Sequence, residues 1–558
     1  MNNFLSYPYF LADKLSGFTG LGIVVIFFLI LLYSFKFMSG RPDIARYYIC
    51  IIMTAIAALG AVFSNNFIIL LVFWGFLGLL LYLLINNGDD ASRAAAKKAL
   101  IVVGGTDALM ILGVGIIYYY TQTFQMDLIR LEFSNGLIVL AYLCIASACF
   151  AKAGVMPFHS WIPDTSVSAP LPVVTYLPAA LDKFLGIYLL ARVTLGMFVM
   201  NDALNILLMA VGCVTIVAAV MMALVQNNLK KLLGYSTISQ VGYMVLGIGT
   251  GLPAGIAGGL FHMFNHVIYK ACLFFSIGNV EYSAKSSQMD ELGGLSRFMP
   301  LTWIGCLIAV FSISGIPPLN GFISKWMIYQ GLVGHLSASN PALRYAAVAC
   351  LVAAMAGSAF TLAVFMKMIY AVFLGRPRNV GEGALREVSW SMWLPGIFLA
   401  VLCIVFGVFA FALPLKYFIF PAVSIYLPVK AQSLSGSWSP ILASVLLFLG
   451  LLIGYIIFRF GRLKVELRRD SAYTGCESVP QGQENTVTGT EFYNTVKEMG
   501  LLSRIYRMAE RGSFDIYEQA KGIFSVSNLL RRLHNGVLPT YIVWMLLGMG
   551  GLFFVLMR

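Results

Sequence analysis

The sequence predicts an all-α polytopic membrane protein of about fourteen transmembrane helices, two of them broken and related as inverted repeats. An amphipathic lateral helix and a final anchor helix are expected to follow. Three observations carry this. The 558 residues are 59% hydrophobic and 11% charged, where soluble domains carry about 25% charged residues, and the mean hydropathy is +0.85. Apolar windows long enough to cross a bilayer recur along almost the whole chain. Proline and glycine interrupt two of those windows in corresponding places. The net charge of +13 would suggest nucleic acid in a soluble protein, but here it reads as the basic residues that flank membrane helices, so no nucleic-acid partner is expected.

In order, the windows lie near 18–37, 44–63, 66–86, 97–120, 136–156, 170–195, 203–225, 232–250, 253–279, 300–336, 344–374, 390–413, 438–459 and 537–557. The window 300–336 is too long for one straight span and carries Gly315-Ile316-Pro317-Pro318 midway, so a broken helix is expected. The window 136–156 runs likewise into Pro157 and a proline-dense stretch. Segments between windows alternate between two sides. One collects Lys36, Arg41, Arg46, Arg93, Lys97, Lys98, Lys230, Lys231, Lys285, Arg297, Arg376, Arg378 and Arg386; the other has only Lys14, Arg130, Arg192, Arg344, Lys416 and Lys430. The basic side is expected to be cytoplasmic, with both termini outside.

After Arg459 the chain turns polar. Beyond that stretch Leu502, Ile505, Ala509, Ile516, Ala520 and Ile523 recur at helical spacing, with Arg504, Arg507, Glu510, Arg511 and Glu518 on the other face. This is an amphipathic helix, or chain of helices, on the cytoplasmic side. It can lie on the membrane surface or serve as a strut along neighbouring subunits.

Ionisable groups deep in a bilayer cost a few kcal/mol each and usually mark ion pathways. This chain has a small set: Asp107, Lys152, Asp182, Lys183, His262, His266, Lys270 and Lys325. In FHMFNHVIYKACLFF, His262, His266 and Lys270 stand four residues apart, which stacks them on one helix face. A lysine taken out of water exchanges its proton according to the charges beside it, and histidine changes charge near neutrality unaided. A row of both, joined by water, is a proton relay. A sodium site would want several oxygen ligands, and only two of these groups are carboxylates. A bis-histidine haem site is not expected, because side chains one turn apart cannot take opposite axial positions of one iron. The nine cysteines include no CxxC pair, so no iron–sulfur or zinc site is expected and no cofactor is assigned.

The series AKAGVMPFHSWIPD, LDKFLGIYLLAR, NNLKKLLGYSTISQVGY, HMFNHVIYKACLFF and SGIPPLNGFISKW, spread over Phe63 to Phe373, resembles the antiporter-like membrane subunits of respiratory complex I. That superfamily includes the Mrp sodium/proton antiporter subunits and the large membrane subunits of energy-converting hydrogenases such as hydrogenase-4 and formate hydrogenlyase. The resemblance implies that Lys152 centres a first half-channel with Asp107 on the preceding helix. It makes Lys183 a bridging lysine, His262, His266 and Lys270 the connecting relay, and Lys325 the terminal group of a second half-channel. Position 75, usually glutamate in the family and paired with the central lysine, is Gly75 here, which leaves Asp107 as the expected partner of Lys152.

The organisation so implied is N-terminal transmembrane helices over 1–96 and antiporter-like half-channels over 97–250 and 251–459. A cytoplasmic polar loop follows over 460–489, then the amphipathic lateral helix over 490–536 and a transmembrane anchor over 537–558. The function implied is proton translocation within a complex I-like or hydrogenase-like redox complex in a prokaryotic inner membrane. Its partners would be other membrane subunits, peripheral iron–sulfur subunits and the lipid bilayer. The chain itself would be a non-catalytic subunit of an oxidoreductase complex. The alternatives are a redox-independent sodium/proton antiporter or bicarbonate-uptake module, and a structural subunit that has lost pumping.

Overall fold

The computed structural model describes residues 9–41, 43–374, 385–427, 440–460 and 493–523, with 542, 543, 545, 546 and 549. The polar loop, residues 490–492 and 524–536 of the lateral segment and most of the anchor window lie outside these residues. Among the described residues, ten helices are long and apolar enough to cross a membrane, and shorter apolar helices accompany them. The fold is all-α and polytopic; the described residues do not by themselves supply fourteen spans.

The first unit, Met1–Glu498, opens with α1 (Lys14–Phe37), α2 (Ile44–Phe63), α3 (Phe67–Ile85) and α4 (Asp90–Thr121). Three of these four starts are fixed by a side-chain cap where the chain leaves the apolar layer. Asp13 caps α1 by accepting from the Ser16 N–H, and Ser16 returns the bond; Asn66 and Asp89 cap α3 and α4 through their side chains. Then come α5 (Gly136–Ala153), α6 (Trp161–Ser168), α7 (Leu171–Tyr176) and α8 (Asp182–Arg192). A π-helical turn, Leu177–Leu181, joins α7 to α8. Next are α9 (Asp202–Leu224), α10 (Leu229–Gly249), α11 (Pro253–Ala284), α12 (Pro300–Ser314), α13 (Asn320–Val333), α14 (Pro341–Ile369), α15 (Trp390–Val408), α16 (Phe420–Ser424), α17 (Pro440–Phe460) and α18 (Asn494–Glu498).

Two ends of the bundle are tied by short backbone pairings. At one, β1 (Leu131–Glu132) pairs in parallel with β2 (Phe198–Val199), and Phe10 and Asn66 bridge Ser64 and Gln125. At the other, Asn228 bridges Gln288, and Lys98–Asp164 and Lys230–Glu281 form ion pairs. Among the described residues, this second end carries Lys36, Arg41, Arg46, Arg93, Lys97, Lys98, Lys230, Lys231, Lys285, Arg297 and Arg386 of the basic set noted above. The core helices α10 and α11 are almost wholly buried. The outer helices turn Phe28, Ile111 and Val352 outward, as a lipid-facing surface requires.

Both expected breaks are present, and they run in opposite senses. Helix α5 starts at the strand end and stops at Gly154; α12 starts at the basic end and stops at Gly315. Both glycines cap their helix in the left-handed region, φ +79° and +81°, which a side chain would resist. A proline follows three residues later in each case, Pro157 and Pro318. One motif, Gly-x-x-Pro, thus interrupts two oppositely directed helices.

The second unit, Met499–Arg558, contains α19 (Gly500–Glu510) and α20 (Ile516–Ile523). The lateral segment is therefore a chain of short helices in its described part, interrupted around Gly512, whose φ is +76°.

Candidate functional site

The first cluster hangs from the first break. Lys152 lies in the last turn of α5, fully buried, and its Nζ has no hydrogen-bond partner. The Asp182 carboxylate at the head of α8 is 4.0 Å away. The Trp74 ring of α3 faces the ammonium at 5.3 Å, and the indole Nε1 donates to Asp107 Oδ1 of α4 at 2.8 Å. Asp107 is held by Trp74 and stands within electrostatic reach of Lys152 as expected, while the carboxylate at ion-pair distance from Lys152 is Asp182. Lys183 follows on α8, buried, its Nζ unpartnered and 6.0 Å from the Trp161 ring. An ammonium or carboxylate in so dry a place is costly unless an opposite charge shares it. Lys152, Asp182 and Lys183 together hold two potential cations for one anion. Moving a single proton changes the charge balance of the whole group.

Gly75 does not face this cluster. A Cβ built there meets no atom within 4 Å, whereas one at Gly78 would stand 3.6 Å from Asp107 Oδ2. The expected pairing of position 75 with the central lysine is thus not built into this chain's own packing: helix phase turns residue 75 outward and Trp74 inward.

The second cluster follows α11. His266 is fully buried with both ring nitrogens unpartnered, and it lies within electrostatic reach of Lys183, Lys270 and His262. One turn earlier, His262 Nδ1 stands 2.9 Å from Ser324 Oγ and its Nε2 3.2 Å from the Tyr269 hydroxyl. One turn later, Lys270 donates to the Leu233 carbonyl at 3.1 Å and to the Ser236 hydroxyl of α10. The helical spacing read from the sequence does set these three on one face, and α10 and α13 supply the facing hydroxyls.

The row ends at the second break. Lys325, on α13, donates to the Ile313 carbonyl at 2.8 Å, with its Nζ 4.8 Å from the Tyr243 ring. That carbonyl belongs to the last turn of α12, where helix carbonyls lack partners and the dipole is negative. Ile313 precedes Gly315 by two residues, as Lys152 precedes Gly154. The second lysine therefore reaches, from the far side of the break, the place its counterpart occupies directly. Asn265 of α11 clamps this break: its Nδ2 donates to the Asn320 carbonyl at 2.9 Å, and Asn320 Nδ2 returns a bond to Asn265 Oδ1 at 3.0 Å.

All eight residues singled out from the sequence fall in these two clusters. Trp74, Ser236, Ser324 and Asn265 were not among them. The run Tyr235-Ser236-Thr237-Ile238-Ser239-Gln240 is a polar stretch within an apolar region and could have pointed to Ser236. A tryptophan in a greasy helix carries no comparable signal. Among the described residues no group of His, Cys, Asp and Glu could hold a metal ion.

Comparison with known proteins adds a lineage to this geometry. The family described as NADH:quinone oxidoreductase/Mrp antiporter, TM, matches residues 64–348. The Na(+)/H(+) antiporter subunit A1 of Staphylococcus epidermidis is 31% identical over 404 residues, covering 68% of this chain and 50% of that protein. Hydrogenase-4 component B of Escherichia coli is 31% identical over 294 residues, covering 50% of this chain and 44% of that protein. The chain spans about half the length of these curated relatives. A chain of the membrane-bound sulfane sulfur reductase, an archaeal respiratory membrane complex, shares the fold with a TM-score of 0.78 at 22% identity, covering 99% of this chain and 90% of that one.

Proposed function

Since the chain belongs to the NADH:quinone oxidoreductase/Mrp antiporter family of membrane subunits, we propose that it carries protons across the membrane as one subunit of a larger redox-driven complex. The path runs from Asp107, Lys152, Asp182 and Lys183 through His266, His262 and Lys270 to Lys325. The observation that carries this reading is the set of unpartnered buried groups, Lys152 Nζ, Asp182 Oδ2, Lys183 Nζ and both nitrogens of His266. Fixed structural charges are normally bonded; groups that pass protons need a second partner to turn to. Proton transfer along the row changes no bond between heavy atoms and needs no redox group in this chain. Electron transfer belongs to peripheral iron–sulfur partners, and other membrane subunits flank this one. The half-channels correspond to 97–250 and 251–459, with the basic face in the cytoplasm. A sodium/proton exchange reading has the name of the Staphylococcus relative in its favour, but the buried set offers two carboxylates, each with a lysine or tryptophan already beside it.

The test is to replace Lys183 or Lys270 by Met, which keeps length and apolar packing but deletes the proton carrier. Each variant complex, reconstituted in sealed vesicles, is expected to stay assembled and lose proton movement. Wild-type transport by either variant would remove that residue from the path.

A further inference from the structure

None of the relay residues named so far joins the first cluster to the basic face. At that face a cavity of about 90 Å³ opens between α2 and α3, lined by Asp43, Arg46, Tyr47, Asn86 and Pro170 among others. Its inner wall includes Tyr47, which is buried and whose hydroxyl has no hydrogen-bond partner. The polar groups around that hydroxyl are Ser34, Tyr48, Arg41 and Tyr176. Tyr176, at the end of α7, is fully buried and its hydroxyl is also unpartnered. It stands within electrostatic reach of both Tyr47 and Asp182. Asp182 Oδ2, unpartnered, comes next, and then Lys152.

We propose that Tyr47 and Tyr176 form a proton-uptake branch from the Arg46–Asn86 cavity at the basic face to Asp182 and Lys152. This rests on the proton-translocating reading above and adds a route to it. A phenol hydroxyl is both donor and acceptor, so it can accept a proton from the mouth side while releasing its own inward. It ends neutral, and one net proton has moved. The hydroxyls are not hydrogen-bonded to each other, so bridging water completes each step; a polar site with several unsatisfied groups is the setting in which buried water is held. The chain geometry suits this. Pro170 lines the cavity, Tyr176 lies six residues further along, and Asp182 six further again, beyond the π-helical turn Leu177–Leu181. Such turns are frequent at functional sites.

The experiment uses the intact complex in sealed vesicles, with Tyr176→Phe, Tyr47→Phe and, as control, Tyr33→Phe. Tyr33 also has a buried, unpartnered hydroxyl, but its ionisable neighbour is Glu281. Phe keeps the ring and deletes only the relay atom. Tyr176→Phe and Tyr47→Phe are expected to slow proton transport at least about tenfold with a larger solvent deuterium isotope effect, and Tyr33→Phe to match wild type. A second measurement avoids the core: Asn87→Cys, on the cavity wall, capped with a bulky water-soluble maleimide from the basic face, is expected to slow transport as well. Wild-type rates in both tyrosine variants and after capping overturn the branch while leaving the relay standing. Equal loss in all three tyrosine variants overturns it as a packing effect. Absence of proton transport in the wild-type complex overturns the relay itself, and the branch with it.

Discussion

Trp74→Phe is the perturbation that most directly tests the first cluster. It removes the indole N–H that donates to Asp107 at 2.8 Å and keeps an aromatic ring beside the Lys152 ammonium, now 5.3 Å from the ring centre. A hydrogen bond to a charged acceptor contributes about 1.5–3 kcal/mol. Asp107 lies on a membrane-spanning helix, and the lower figure gives the smallest effect to look for. At about 1.4 kcal/mol per tenfold, proton transport should fall roughly tenfold, with little change in assembly because ring packing is retained. The assay is proton movement into sealed vesicles by the reconstituted complex, for Trp74→Phe, Asp107→Asn and the double variant. If the indole acts through Asp107, the double variant transports no worse than Asp107→Asn alone. Multiplicative losses, or a Trp74→Phe variant within twofold of wild type, would refute the proposed coupling.

Three further expectations follow from other parts of the structure. Lys183→Met and Lys270→Met should assemble normally and abolish transport, read in the same vesicles. Gly186→Ala should destabilise by about 1–3 kcal/mol, seen as a lower unfolding temperature in detergent. Its new methyl would meet the Cys149 carbonyl and the Ala153 N–H of α5 at 2.7 Å, forcing α8 and its Asp182–Lys183 pair away from Lys152. An unchanged melting temperature would show that the two helices can part there without cost. For orientation, Asn87→Cys should react with an impermeant maleimide only from the cytoplasmic side of intact cells and Asp127→Cys only from outside; the reverse pattern would invert the topology.

The sequence alone determined that this is a polytopic helical membrane protein, because a chain so apolar cannot bury its surface against itself in water. It also determined where both helices break, since Gly-x-x-Pro dictates a local backbone that needs no tertiary partner. The eight ionisable residues were legible for a related reason. Charge in an apolar window is expensive, so each instance stands out one residue at a time. What only the tertiary structure decided is who faces whom. Lys152 lies 4.0 Å from Asp182, thirty residues on, while Asp107 accepts a hydrogen bond from Trp74 and acts on Lys152 from further off. Gly75 points outward while its neighbour Trp74 points in. Lys325 reaches back twelve residues to the Ile313 carbonyl. These pairings depend on the rotation and tilt of one helix against another. That rotation is set by side-chain packing between segments remote in sequence, because along a uniformly apolar helix no hydrophobic stripe marks the inward face.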